Sequence, residues 1–231
     1  MKKIILTLIT CTLLLNSCDD QLDINQDPDR MPAANLPLNL QLPVAIAGVA
    51  SVQGSNWAII GGIWSQMFTQ NPNNSQYTNI DSYAINSTNQ IINSGWFATY
   101  DALQDIRSVK TNAFANKNWN YYLIATVLEA YTFQVLTDWF GDVPYTESNN
   151  ILITQPKFDN SEFIYQRSIA NLNEVLAINR STSQGILPAE DDLIFNGNMD
   201  NWVKFANTLK LKLFLRQTEA RPDVARAGIL E

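Results

Sequence analysis

Several segments of this chain place apolar residues three or four positions apart, which is the spacing of one helix face. The first of four such segments begins after an N-cap at Ser94. The second runs from about Trp119 to Trp139, and Gly141 and then Pro144 stop it. Stripes of this kind predict amphipathic helices that bury one face in a shared core.

Two further segments continue the same pattern. The third begins at a capping box of Asp159 and Glu162, the fourth starts at Asp200, and Pro222 opens another helix. No stretch alternates apolar and polar residues as a strand would. The sequence therefore predicts an all-α protein of antiparallel helix pairs in an α-solenoid, with helix starts too unevenly spaced for a clean repeat.

An apolar stretch precedes these four helices. Residues 42–69 predict one long helix, interrupted or kinked near Gly61 and Gly62. One face of it is predicted to carry Trp57, Ile60, Trp64 and Phe68. We interpret both tryptophans as core residues.

A polar segment separates this helix from the others. Residues 70–94 show little helical period, and connections of that length are usually functional or disordered. Aromatic faces with amide and carboxylate partners are what a sugar site needs. The candidate ligand-binding residues are Tyr77 and Tyr83 as platforms, with Asn73, Asn74, Gln76 and Asp81 as hydrogen-bond partners. Tyrosines packed beneath a polar loop would give the same pattern.

The N-terminus has the composition of a bacterial lipoprotein signal peptide. Lys2 and Lys3 precede an apolar run that ends in Leu15-Asn16-Ser17-Cys18. We interpret residues 1–17 as the signal peptide and Cys18 as the lipidated residue, because cleavage at Cys11 would leave too short an apolar run. That run is also too short to span a bilayer, and no later stretch is predicted to span one.

Residues 18–43 are predicted to form an acidic, proline-rich tether, and residues 44–231 the helical domain. Without residues 1–17 the chain keeps 13 of its 15 basic side chains against 22 acidic ones, so its net charge falls from −7 to −9. Such a balance argues against a nucleic-acid partner and against docking to anionic lipid. Membrane contact is therefore expected through the lipid anchor only.

The chain contains no histidine. With its remaining cysteine lipidated, it has no Ser-His or Cys-His nucleophile pair and no His/Cys zinc site, so we expect no catalysis, no metal and no cofactor. Asp191 with Asp192, or Glu190 with Asp191, could in principle serve a glycosidase. We interpret this acidic cluster instead as a solvated loop.

Four passages resemble the SusD/RagB family of surface lipoproteins, and more narrowly its SusD-like branch. The most specific is close to the family's helix-ending Tyr/Phe-Gly-Asp-Val-Pro-Tyr motif. The passages are Cys18-Asp19-Asp20-Gln21-Leu22-Asp23-Ile24-Asn25-Gln26-Asp27-Pro28, Trp96 with Tyr100, Leu136-Thr137-Asp138-Trp139-Phe140-Gly141-Asp142-Val143-Pro144-Tyr145-Thr146-Glu147, and Asp192-Leu193-Ile194-Phe195 with the run Trp202 to Leu211. Family members are about twice as long, so the resemblance implies an N-terminal half.

The resemblance implies tetratricopeptide-like helix pairs that cover a SusC-like TonB-dependent transporter, and loops that hold a glycan for import. It also implies an outer-membrane protein that faces the cell exterior, since the acidic run after Cys18 resembles a surface-export signal of this phylum. In other bacteria an aspartate at that position retains a lipoprotein at the inner membrane. A peptide-binding homologue and a purely structural surface lipoprotein are the alternatives.

Overall fold

The computed structural model of the protein describes residues 36–230 as helices joined by loops. The helices are α1 (Leu38–Val52), α2 (Ala58–Trp64), α3 (Thr78–Asp81), α4 (Gln90–Ala115), α5 (Trp119–Phe140), α6 (Ser161–Ala177), α7 (Met199–Leu215) and α8 (Pro222–Leu230). Among these residues the one β-bridge joins Val143 to Asp159. The prediction of an all-α fold is confirmed for the part of the chain that the structure describes.

The helical domain begins earlier than the sequence predicted. Helix α1 starts at Leu38 and contains Pro43, so the end of the predicted tether was wrong. Pro43 has no N–H, so the carbonyl of Asn39 lacks its usual partner within the helix. Asn39 is exposed to solvent. The signal peptide, Cys18 and the tether up to residue 35 lie outside the described residues.

Helices α1 and α2 are continuous through a π-helical turn at Gln53–Trp57. The predicted interruption near Gly61 and Gly62 was therefore placed too late. Beyond Trp64 the chain reverses, because Gln66 adopts a positive φ of 58° and the N–H of Met67 donates to the carbonyl of Gly62 at 2.9 Å. The first helical unit thus ends five residues before the predicted boundary at Thr69.

Helix α5 is the centre of the domain. It packs against α4 on one side and α6 on the other, and it also contacts α1 and α7. A helix that is apolar all round is expected to be buried, and most positions of α5 are buried. Its fully buried side chains include Tyr121, Leu123, Ile124, Phe133 and Leu136.

Asparagine caps the N-terminus of each of the four long helices that follow the polar segment. The side chains of Asn89, Asn118, Asn160 and Asn198 accept from backbone N–H groups of the first turns of α4, α5, α6 and α7. The predicted caps at Ser94 and Asp159 were wrong, and the predicted start at Asp200 lies one residue into α7.

The carboxylate of Asp159 has a different role from the predicted cap. It accepts from the backbone N–H of Tyr145 at 3.2 Å and of Thr146 at 2.7 Å. These bonds hold the loop after α5 against the start of α6. Gly141, with a positive φ of 74°, ends α5 as its sequence motif indicated.

The run from Leu38 to Trp64 is long and apolar enough to cross a membrane, and its most apolar 18-residue window has a mean hydropathy of 1.3. We predicted that no stretch after the signal peptide has the length and composition of a membrane span, and this prediction was wrong. Such a run is weak evidence for a membrane span, since core helices of soluble proteins can be equally long and apolar. In this structure it packs against α4 and α5.

Arg107 on α4 joins the two central helices to the loop after α5. Its Nε donates to the Glu129 carboxylate at 2.8 Å, and its two terminal nitrogens donate to the carbonyls of Ser148 at 2.6 Å and Tyr145 at 2.9 Å. Lys110 forms a second ion pair with Glu129. Burial alone raises the pKa of Glu129, but Lys110 and Arg107 outweigh it and hold the pKa below its ordinary value of 4.5.

The ion pair predicts a pH-dependent contribution to stability. A lowered folded-state pKa contributes stability above the ordinary pKa of 4.5, and this contribution is lost as the pH falls through the folded-state value. Glu129→Gln is expected to lower the free energy of unfolding at pH 7 by about 3 kcal/mol or more, because it leaves two cations without their carboxylate. Urea denaturation at pH 7 and pH 4 checks this.

The matched control is Glu174→Gln, which changes an exposed carboxylate on α6. It should leave stability at both pH values within about 0.5 kcal/mol of the parent. Equal losses in the two variants would contradict a structural role for the Arg107 and Glu129 pair.

Candidate functional site

The polar segment after α2 is folded against a small apolar cluster of its own. Buried side chains of α1, the π-turn and α2 meet one buried side chain of α3 there. The cluster consists of Val52, Trp57, Ile60, Ile63 and Ile80. Tyr77, Ile91 and Ile92 pack against it, so the segment is held on both sides of α3.

Side-chain hydrogen bonds fix the two ends of this segment. The amide of Asn56 donates to the carbonyl of Ile91 at 2.8 Å and to the hydroxyl of Ser94 at 2.9 Å. The buried indole N–H of Trp57 donates to Thr99 on α4 at 3.1 Å. Gln70 accepts from the backbone N–H of Tyr77 at 2.5 Å. The predicted loop is thus an ordered connection with one short helix.

An open cleft of about 490 Å³ lies between α3 and the start of α4. None of the described residues that line it is charged. Its lining consists of amide, hydroxyl and apolar side chains from Ser75, Gln76, Tyr77, Asn79, Ile80, Thr88, Asn89, Gln90, Ile91 and Ser94. The cleft can therefore exchange hydrogen bonds with a neutral, hydroxyl-rich molecule without the cost of burying a charge.

Two of the six candidate ligand-binding residues line this cleft. Tyr77 is half-buried against the apolar cluster, and its hydroxyl accepts from the amide of Gln76 at 3.0 Å. Tyr77 therefore both packs beneath the loop and lines the cleft.

Tyr83 lies outside the cleft lining and is paired with Trp64. Their rings meet edge to face with centroids 4.8 Å apart, and the Tyr83 hydroxyl donates to the carbonyl of Trp64 at 3.0 Å. Tyr83 holds a positive φ of 57°, which is uncommon for a residue with a side chain. The two rings form a half-exposed aromatic surface beside α3.

The remaining three candidates are exposed and outside the cleft lining. Asp81 accepts from the hydroxyl of Thr69 at 2.7 Å. Asn74 accepts from the backbone N–H of Gln76 at 2.9 Å, and the backbone N–H of Asn73 donates to Asn71 at 2.9 Å. These contacts stabilise the turns that position Gln76 and Tyr77.

The exposed face of Trp64 was missed by the sequence analysis. Trp57 is 4% exposed, which confirms its assignment to the core, whereas Trp64 is 39% exposed, which corrects its assignment. The helix ends at Trp64, so no further turn covers its ring. The spacing of apolar residues over positions 57–68 could not reveal the exposure of Trp64, because that prediction takes the helix to continue to Phe68.

The acidic cluster before α7 is structural. Asp192 is only 2% exposed, so its interpretation as part of a solvated loop was wrong. Its carboxylate accepts from the indole N–H of Trp202 at 2.7 Å and from the backbone N–H of Gly197 at 2.9 Å. Asp191 accepts from the hydroxyl of Tyr121 at 2.7 Å. Because both carboxylates accept hydrogen bonds from groups inside the fold, they do not flank an open space the size of a sugar.

No group of three histidine, cysteine, aspartate or glutamate side chains within residues 36–230 is arranged to hold a metal ion.

The anchoring amide of Asn56 yields a local prediction. Asn56→Ala removes two hydrogen bonds, each worth about 1 kcal/mol, so backbone amides of residues 86–94 should exchange with deuterium about ten-fold faster or more. Hydrogen exchange followed by mass spectrometry measures this. Asn207→Ala, an exposed amide on α7, is the control. Unchanged exchange in Asn56→Ala would show that the segment does not depend on this anchor.

Solved structures share this fold. One is a SusD/RagB family protein from Bacteroides thetaiotaomicron, with a TM-score of 0.68 and 20% identity over 84% of this chain. Another is a chitin-binding protein, with a TM-score of 0.66 and 24% identity over 86% of this chain. A third is a chitin-binding SusD homolog from Flavobacterium johnsoniae, with a TM-score of 0.61 and 18% identity over 81% of this chain.

The chain spans less than half the length of these proteins, namely 42%, 42% and 41%. Their common helical architecture is tetratricopeptide-like, as the family resemblance implied. A search of curated protein sequences gives no match. The family model SusD-like_2, described as "Starch-binding associating with outer membrane", matches residues 42–230. This chain belongs to the SusD-like family.

Proposed function

We propose that this chain is the N-terminal part of a surface lipoprotein that binds oligosaccharide for import. The family match over residues 42–230, with its starch-binding description, is the observation that carries the proposal. The names of two solved relatives state that they bind chitin. Starch and chitin are both polymers of hydroxyl-rich sugar rings.

The chemistry of the cleft between α3 and α4 supports a glycan over the alternatives. Amide and hydroxyl groups line it, and the half-exposed ring of Tyr83, on the same polar segment, is paired with the ring of Trp64 at the end of α2. Sugars present hydroxyls at their edges and apolar C–H groups on their faces, which match these two surfaces. The absence of charge among the described lining residues gives a cationic peptide no carboxylate to bind.

The candidate residues would then divide their roles. Gln76 would exchange hydrogen bonds with hydroxyls in the cleft, and Tyr77 would contact a ring from below. Tyr83 and Trp64 would form a platform for a neighbouring ring. Asn73 and Asn74, exposed before α3, and Asp81, exposed at its last position, would contact the outer end of a longer oligosaccharide.

The proposal is binding without catalysis. The described acidic pair closest to a glycosidase pattern, Asp191 and Asp192, is occupied by hydrogen bonds inside the fold. Delivery would require a SusC-like TonB-dependent transporter as the partner, with the helical scaffold as the docking surface. Lipidation at Cys18 would anchor the protein to the outer membrane and leave the domain on the cell exterior.

Affinity gel electrophoresis of the full-length, non-lipidated protein against starch, chitin and other polysaccharides tests the proposal. Gln76→Ala with Trp64→Ala is expected to weaken retardation by at least about ten-fold in dissociation constant, because both an amide and a platform are lost. Phe114→Ala, an exposed aromatic residue at the end of α4, is the control and should bind normally.

Retardation that survives in the double variant would place the glycan site elsewhere in the protein. Binding to a peptide mixture and to no polysaccharide would replace glycan capture by peptide capture. Absence of any saturable ligand would favour a structural surface lipoprotein.

The lipid anchor has its own test. Cys18→Ser should abolish incorporation of radiolabelled palmitate and release the protein from the outer-membrane fraction, because the acylated residue is lost. Cys11→Ser is the matched control and should remain labelled. Labelling that follows Cys11 instead would move the lipidation site.

A further inference from the structure

A second polar pocket lies where three helix ends meet, and it shares no described lining residue with the cleft between α3 and α4. The last turn of α5, the first turn of α6 and the turn that follows α7 enclose it. Its volume is about 560 Å³. Small-molecule sites usually measure ~300 to 1,000 Å³, so the pocket is large enough for a small ligand.

The pocket forms because α5 and α7 stop where α6 begins. Gly141, with its positive φ of 74°, ends α5. The side chain of Asn160 accepts from the backbone N–H of Glu162 at 2.9 Å and caps α6. In the turn after α7 the backbone N–H of Arg221 donates to the carbonyl of Gln217 at 2.7 Å. Polar side chains from three helix ends therefore share one space.

The charged side chains of the pocket are paired with one another. The Nε of Arg216 lies 2.7 Å from the Asp138 carboxylate, and the guanidinium of Arg221 lies 2.7 Å from the Glu162 carboxylate. Two cations thus balance two anions among the described lining residues. A paired guanidinium keeps further N–H donors, and a paired carboxylate keeps further lone pairs. The pocket can therefore exchange hydrogen bonds with a neutral molecule while both ion pairs stay intact.

Two buried side chains that line the pocket each have an oxygen without a hydrogen-bond partner. Thr137 is 6% exposed and Gln217 is 3% exposed. The Thr137 hydroxyl and the Gln217 side-chain carbonyl have no partner among the described residues, although the Gln217 amide donates to the carbonyl of Leu213 at 2.7 Å. Buried polar groups are nearly always hydrogen-bonded, so such exceptions require a reason. An occupant that brings hydrogen-bond donors would supply it.

We propose that this pocket is a second sugar site, which takes one neutral sugar unit or the free end of a short oligosaccharide. Sugar hydroxyls both donate and accept, so they can donate to Gln217, exchange a hydrogen bond with Thr137 and accept from Arg216 and Arg221. The two unpartnered oxygens are shielded from solvent, so a rotation of each side chain toward the pocket accompanies entry of the sugar.

Other classes of small ligand match these groups less well. An amino acid or a uronic acid carries charges of its own, which would have to break an ion pair or stay unpaired in a pocket whose charges are already balanced. An apolar ligand would leave Thr137 and Gln217 without partners. The pocket is built from helix ends that do not form the cleft, so this inference holds whether or not the cleft captures glycan.

An NMR titration locates the second site. The non-lipidated protein that carries Gln76→Ala with Trp64→Ala is used, so the pocket is measured without the cleft. The probes are maltose and N,N′-diacetylchitobiose, with the dipeptide alanylalanine alongside. We expect at least one disaccharide to cause saturable shifts of the side-chain amide of Gln217 and of the Nε–H of Arg221.

A further substitution in this double variant tests the role of the hydroxyl. Thr137→Val should raise the dissociation constant of the disaccharide at least about five-fold, because one hydrogen bond to the sugar is lost. It should not lower the melting temperature, because it removes a buried oxygen that has no partner among the described residues. The matched control is Thr208→Val, an exposed threonine on α7 whose hydroxyl donates to the carbonyl of Lys204 at 2.8 Å. It should bind the disaccharide as the double variant does.

Three results would overturn the proposal. They are the absence of saturable shifts at Gln217 and Arg221 with all three probes, equal affinity for the disaccharide with and without Thr137→Val, and saturable shifts with alanylalanine alone. The last result would assign the pocket to a zwitterion. Because the cleft is altered in every protein of this series, failure here is distinguishable from failure of the cleft, which the gel electrophoresis measures.

Discussion

The contacts of Arg107 hold together the part of the fold on which the rest is built. One guanidinium group bonds to the Glu129 carboxylate on the central helix and to two carbonyls of the loop that follows it. Its Cζ also lies 5.2 Å from the centroid of the Phe133 ring. A buried carboxylate is stable there because two cations compensate its loss of hydration. This arrangement fixes α4 against α5.

The candidate glycan cleft depends indirectly on the packing of α4 against α5. Helix α4 carries Thr99, which accepts from the indole of Trp57, and Ser94, which accepts from Asn56. The polar segment between α2 and α4 folds over the resulting apolar cluster. The helical scaffold thus presents an ordered set of amides, hydroxyls and rings, which under the proposed function would lower the entropy cost of binding a flexible oligosaccharide.

The sequence predicted the long helices well and their termini less well. The long apolar run before Gly141 identifies α5 because burial on all sides dictates it. Ser, Asp and Asn are nearly interchangeable as caps, so Asn160 could not be preferred over Asp159. The exposure of Trp64 and the burial of Asp192 depend on where a helix ends and how a turn closes, and neither feature is periodic. The polar segment attracted attention by its composition, but only its folding shows that Gln76 and Tyr77 face one cleft while Tyr83 pairs with Trp64.

The most direct test of glycan capture by this cleft is an NMR titration of the isotope-labelled protein with chitin and starch oligosaccharides. The account predicts saturable shifts at the side-chain amide of Gln76, the ring of Tyr77 and the indole N–H of Trp64, and none at the indole N–H of Trp202, which is buried and bonded to Asp192. Saturable shifts confined to other residues, with these three groups unchanged, would contradict it.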